Sequence, residues 1–138
     1  MVTEVTEQDR EARFEELWQR GAFNFLLAGY VDIAASPEAN RSVYDIWTRK
    51  VRERITGPFK RDIMAPLEPV YPFGTKRPPL DADYYECLDM YNVEIVPLKK
   101  NPIKNVVEDS VILQYDTHRQ LDVVILAAVL TALLGRMA

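Results

Sequence analysis

Residues 36–58 read S-P-E-A-N-R-S-V-Y-D-I-W-T-R-K-V-R-E-R-I-T-G-P, Ser36 first and Pro58 last, and this stretch decides the first half of the fold. The Ser36 side chain is a helix cap, Pro37 suits the first helical position and Glu38 the positive end of the dipole. Val43, Ile46, Trp47, Val51 and Ile55 recur at three- and four-residue steps, one apolar stripe down a helix that Gly57-Pro58 ends. Working outward, residues 3–20 predict a second helix, with Phe14, Leu17 and Trp18 on one face and Gly21 at its stop. Residues 22–33 are apolar without a clear period and read as buried but irregular, with one short helix. Residues 59–64 add a helical turn.

Downstream the pattern changes. Pro66, Pro69, Pro72, Pro78 and Pro79 crowd one connector and bias it to extended backbone, yet it also holds Leu67, Val70, Tyr71, Phe73, Lys76 and Arg77. An ordered loop of that length is commonly a functional one. Residues 81–90 predict a short helix, 93–96 a brief strand, and 103–107 with 111–115 a hairpin. Residues 121–126 read as a further apolar strand and 127–137 as a closing helix. The expected class is α+β: N-terminal helices packed with a small mixed β-sheet or hairpin, and a C-terminal helix. A single domain over 1–138 is expected, mainly helical over 1–65, a Pro-rich loop and short helix over 66–92, and sheet plus helix over 93–138.

The 17 Lys+Arg against 21 Asp+Glu give a net charge of -4 and no basic footprint for nucleic acid. The longest apolar run, residues 123–134 interrupted by Thr131, falls short of the ~20 residues of a membrane span. The polar N-terminus shows no secretory signal, and Cys87, the one cysteine, suits a reducing compartment, so a cytoplasmic protein is expected. The glycines Gly21, Gly29, Gly57, Gly74 and Gly135 make neither G-x-G-x-x-G nor a P-loop. One cysteine and one histidine, His118 in a turn-like stretch, give no zinc spacing, so neither metal nor cofactor is expected.

Several ordered segments resemble the Baeyer–Villiger monooxygenases, a family that uses FAD and NADPH. They are Trp18-Gln19-Arg20-Gly21-Ala22-Phe23, which looks like the family's Trp…Gly-Gly-Phe, and Asp32 with Glu38-Ala39-Asn40 and the long helix. The most specific are Pro72-Phe73-Gly74-Thr75-Lys76-Arg77-Pro78 and Asp83-Tyr84-Tyr85-Glu86. Asn92-Val93-Glu94-Ile95-Val96, Asn101-Pro102-Ile103 and Leu121-Asp122-Val123-Val124-Ile125-Leu126 follow in order. The resemblance implies that Arg77 stands where the family's arginine stabilises a peroxyflavin, and Lys76 where its neighbour meets the nicotinamide cofactor. Two features depart from the family. Both dinucleotide fingerprints are missing, and Ala127-Ala128-Val129-Leu130-Thr131 replaces the Ala-Thr-Gly-Phe-Asp that follows the last strand.

These features together predict a cofactor-free enzyme of natural-product biosynthesis, cyclising (cycloaddition included) or isomerising a lipophilic intermediate without redox change. Arg77, Lys76, Tyr84 and Asp32 are the candidate catalytic residues, with Asp83 and Glu86 as further acid–base groups. Trp18, Phe23, Phe25, Trp47, Phe73 and Tyr85 are the candidate substrate-binding ones. Each also has a plain reading: the tryptophans as core, Lys76 and Arg77 paired with Asp81, Asp83 or Glu86, and Tyr84-Tyr85 closing over the hairpin. A homodimer is expected, because the strand 121–126 needs a covering partner. The alternatives are a non-catalytic binding or regulatory module, or one half of a split flavin monooxygenase.

Overall fold

A computed structural model of the chain describes residues 5–27, 29–76, 81–115 and 117–127. Among these described residues five α-helices precede a small antiparallel sheet, an α+β architecture. The chain divides into two compact units, Met1–Ile95 and Val96–Ala138.

In the first unit, helix α1 spans Glu7–Arg20, capped by the Thr6 side chain, which accepts from Asp9 N. Its Phe14 and Leu17 are fully buried. The irregular stretch that follows resolves into α2, Asn24–Leu27, and a 3₁₀ turn, Val31–Ala34. Helix α3, Pro37–Glu53, is the long helix of the 36–58 stretch, with the Ser36 hydroxyl accepting from Ala39 N. Val43, Val51 and, just past the helix end, Ile55 are almost wholly shielded from solvent. Each such burial is worth about 1.5–3 kcal/mol, which makes this stripe the unit's backbone. Phe14, Leu17 and Phe25 pack with Ala39, Val43 and Ile46 as one cluster, while Val51, Ile55 and Ala65 form a second; Trp18 and Trp47 border both. Helix α4, Pro58–Met64, and helix α5, Tyr84–Asp89, complete the unit.

The second unit holds strands β1, Ile103–Val106, β2, Ser110–Leu113, and β3, His118–Gln120, in the order β1-β2-β3. Ile103 faces Leu113, and a bulge follows before Asn105 pairs with Ile112. β2 is the buried middle strand, whereas all of β1 is exposed.

Four sequence expectations are corrected. The sheet is antiparallel throughout, not mixed. Residues 93–96 form no strand: the Val93 N–H bonds back to Met90 O in a turn. Residues 121–126 are not a strand either; all six are exposed, because β-geometry requires a paired ladder and the described residues supply none. The third strand is instead the expected turn around His118, which hydrogen-bonds along β2. Of the expected final helix, residues 128–137 lie outside the described residues, and Ala127 is not helical.

Candidate apolar binding site

The first unit contains a hollow of about 470 Å³ between α1, α2, α3 and α5. Trp18, Phe23, Phe25, Trp47, Phe73, Tyr84 and Tyr85 all line it, although the sequence spreads them over nearly seventy positions. The rings touch in sequence: Trp18 meets Phe25 edge-on at 5.4 Å, Phe25 meets Phe73 at 6.1 Å, and Phe73 meets Trp47 at 5.8 Å. Such tilted contacts fix ring orientation as well as burying area. Tyr84 and Tyr85 stand at 5.4 Å, edge to face.

Two polar devices hold this wall. Asn40, buried on α3, donates from Nδ2 to Phe73 O at 3.0 Å and to Ile33 O at 3.1 Å, and its Oδ1 accepts from Phe73 N at 2.8 Å. Phe73, inside the Pro-rich connector, is therefore pinned to α3 through both of its backbone groups. The other device is Arg54. Its guanidinium donates to both Glu86 oxygens at 2.6 Å, to both Asp81 oxygens at 3.0 and 3.1 Å, and to Ala82 O at 2.9 Å. It also lies 5.0 Å from the centre of the Tyr85 ring. The bidentate geometry suits a planar guanidinium. Hydrogen bonds from Arg54 hold the Glu86 carboxyl below the usual carboxylate range. Burial, and then the Asp81 charge, push the Tyr85 phenol above its ordinary value, so it stays a proton donor at neutral pH.

The remaining candidates fall elsewhere. Lys76 is exposed and lines a second hollow, of about 280 Å³, that shares Trp47, Met64, Phe73 and Tyr85 with the first. Its expected carboxylate partners Asp81 and Glu86 are taken by Arg54. Asp32 is buried in the 3₁₀ turn and lines neither hollow. Asp83 precedes α5 and is exposed. Arg77 lies outside the described residues. Sequence reasoning missed Arg54, whose partners are 27 to 32 residues away, and Asn40. Asn40 did leave a signal: it is one polar residue three and four positions before Val43 and Tyr44, on the apolar stripe. A larger hollow of about 700 Å³ beside α3 is rich in arginine, but Arg41, Arg49 and Arg52 there are already paired with Glu68, Glu11 and Asp62.

The resemblance implies a flavin and a nicotinamide nucleotide, and the starts of the two long helices, α1 and α3, fit neither pyrophosphate. A cradle needs free N–H groups at a helix start and room for close approach. At α1 the Thr6 side chain takes Asp9 N, with Glu7 and Asp9 in the first turn. At α3 Ser36 takes Ala39 N, Pro37 offers no N–H, and Glu38 adds negative charge. Gly29 is tight for another reason: a Cβ there would lie 2.9 Å from Ile33 Cδ1 and 3.2 Å from Phe14 Cε1, within the chain's own core. Among the described residues no cluster of three or more His, Cys, Asp or Glu is placed to hold a metal ion, and no helix is long and apolar enough to cross a membrane.

No family model matches the chain. Among curated proteins it is 40% identical over 124 residues to the FAD-binding monooxygenase VdtE of Byssochlamys spectabilis, covering 90% of this chain and 22% of that protein. It is 42% identical over 124 residues to the FAD-binding monooxygenase acrE of Aspergillus aculeatus, covering 90% of this chain and 21% of that one. Among solved structures it superposes with a TM-score of 0.81 and 30% identity on OTEMO in complex with FAD and NADP, over 88% of this chain and 22% of OTEMO. The chain thus spans about a fifth of the length of the relatives it matches.

Proposed function

We propose that this chain, which resembles a segment of the FAD-binding Baeyer–Villiger monooxygenases, works without flavin: it holds a lipophilic biosynthetic intermediate in the aromatic hollow and promotes its cyclisation, cycloaddition included, or its isomerisation. The observation that carries this reading is the convergence of five apolar aromatic rings and two phenols on one hollow of small-molecule size. Aromatic walls hold a flexible polyene in a reactive conformer, where orientation alone supplies much of the acceleration. The Tyr84 and Tyr85 hydroxyls donate to a carbonyl oxygen as charge gathers on it, while Lys76, on the adjoining hollow, adds positive potential; for Arg77, outside the described residues, that role rests on the resemblance alone. Bonds rearrange within one molecule, so mass and oxidation state are unchanged. Asp32, away from both hollows, is assigned no contact with the reacting atoms.

The test is a titration with farnesol, a neutral isoprenoid alcohol, read by Trp18 and Trp47 fluorescence. Saturable one-to-one binding that Phe73→Ala weakens about tenfold supports the reading, in line with the ~1.4 kcal/mol that corresponds to a factor of ten. No saturable change overturns it. With polyene ketones as substrates, isomeric products of unchanged mass are expected, and Tyr84→Phe and Arg77→Ala slow their formation.

A second reading rests on a different observation. Val123, Ile125 and Leu126 are 74%, 86% and 85% exposed, an apolar run without a partner among the described residues. Such a run suits a covering chain: a second copy in a cytoplasmic homodimer, the remainder of a split flavin monooxygenase, or the target of a non-catalytic regulatory module. A chain that turns yellow only when mixed with a flavin-binding partner supports the split enzyme.

A further inference from the structure

The two hollows of the first unit share Trp47, Met64, Phe73 and Tyr85, but the charged residues of their linings differ. The first is lined in part by Arg54 and Asp81, where two carboxylates, Asp81 and Glu86, more than neutralise the single guanidinium. A ligand carboxylate gains nothing from that trio of charges, and the tyrosine hydroxyls remain the donors to a carbonyl oxygen. The described lining of the second includes no acidic residue; its other walls are Tyr44, Val70, Tyr71 and neighbouring apolar groups, and Lys76 is its one cation. Among the described residues Lys76 makes no ion pair, and Arg54 takes two of the three nearby carboxylates, Asp81 and Glu86. A ligand carboxylate is therefore favoured at the second hollow and not at the first.

From this asymmetry we propose that the site takes an apolar carboxylic acid, its carboxylate at the Lys76 ammonium beside the second hollow and its hydrocarbon body against Trp47 and Phe73. A compact ammonium is a point charge suited to a monoanion, and no acidic residue in the described lining competes for it. The proposal rests on the reading that the aromatic hollow holds a lipophilic molecule, and it adds the headgroup and the residue that meets it. Since Lys76 is exposed, the pairing is partly screened, and a change of about fivefold in affinity is the scale to expect.

The experiment compares farnesoic acid, farnesol and farnesyl phosphate on the full chain, by tryptophan fluorescence, at low salt and at 0.5 M salt (roughly a fourfold shorter screening length than at ~0.03 M). Farnesoic acid should bind about fivefold more tightly than farnesol at low salt, with the gap closing at high salt. Lys76→Gln should remove the gap by weakening the acid alone, and Lys76→Arg should restore it. Equal binding of acid and alcohol to the unmodified chain, or a Lys76→Gln loss shared by both, overturns the proposal while leaving the lipophilic site standing. Tighter binding of the phosphate than of the acid overturns the carboxylate assignment. Binding of none of the three overturns this proposal together with the reading beneath it.

Discussion

Asn40 and Ala22 show how much of the site depends on single residues. Asn40 makes three hydrogen bonds, two of them to the backbone of Phe73. Replacing it by Ala strips the partners from both Phe73 groups in a half-buried setting, at a cost of about 2–3 kcal/mol. Urea unfolding should show that loss as a lower midpoint at unchanged slope. Ala22 is a different case. Its φ of 51° lies in the left-handed region, next to Gly21 at 66°, on the rim of the first hollow. The resemblance places it where the family segment has the second glycine of Gly-Gly-Phe, so the turn is kept while its most tolerant residue is not. Left-handed backbone costs an alanine about 1–2 kcal/mol, and glycine's extra unfolded-state entropy about 0.5–1. Ala22→Gly should therefore raise stability, by up to about 1 kcal/mol; a loss would contradict the strained turn. Neither residue's role could be read from composition or period. The polar Asn40 on an apolar stripe was visible in the sequence, but its partner, thirty-three residues away, was not.

At the scale of elements, the turn between α3 and α4 is joined to α5 by a carboxylate clasp as well as by Arg54. Asp89 accepts from Thr56 N at 2.7 Å, Thr56 Oγ1 at 2.5 Å and Gly57 N at 3.1 Å. The Thr56 side-chain bond first, then the two backbone bonds, hold the Asp89 carboxyl below its ordinary value. The Arg54 bonds do the same for Glu86. A depressed folded-state value means that the unfolded chain takes up protons first. The clasp's contribution is therefore complete above the ordinary carboxylate range, declines below about pH 4, and is gone once pH passes below the lowered values. Thermal midpoints should stay level from neutral pH down to about pH 5 and then fall, and Asp89→Asn should shrink that fall. Arg54→Met should free α5 and weaken farnesol binding without changing the helix content of α1 and α3. The helices themselves were legible: Ser36, Pro37 and the stripe from Val43 to Ile55 placed α3 within a few residues. The strands were less so. Residues 121–126 have strand composition, but composition describes the face a strand would bury, and β-structure also needs a neighbouring ladder. His118 and Arg119, polar and turn-like by type, form the third strand because β2 supplies that ladder.

For the whole molecule, the aromatic site and the exposed apolar run belong to different compact units, and each makes its own prediction. Ile125 is 86% exposed, so Ile125→Lys should leave stability within about 0.5 kcal/mol while lowering any self-association seen by sedimentation. The family likeness was legible in ordered short segments, and nine-tenths of the chain aligns with FAD-binding monooxygenases. What the residues do was less legible, because a hollow is a property of packing: seven aromatic positions acquire common purpose only once α1, α2, α3 and α5 are assembled. The most direct test of the central claim is native mass spectrometry of the chain incubated with both FAD and farnesol. The account predicts one farnesol per chain and no retained FAD. A chain that keeps FAD, or that leaves farnesol free, contradicts it.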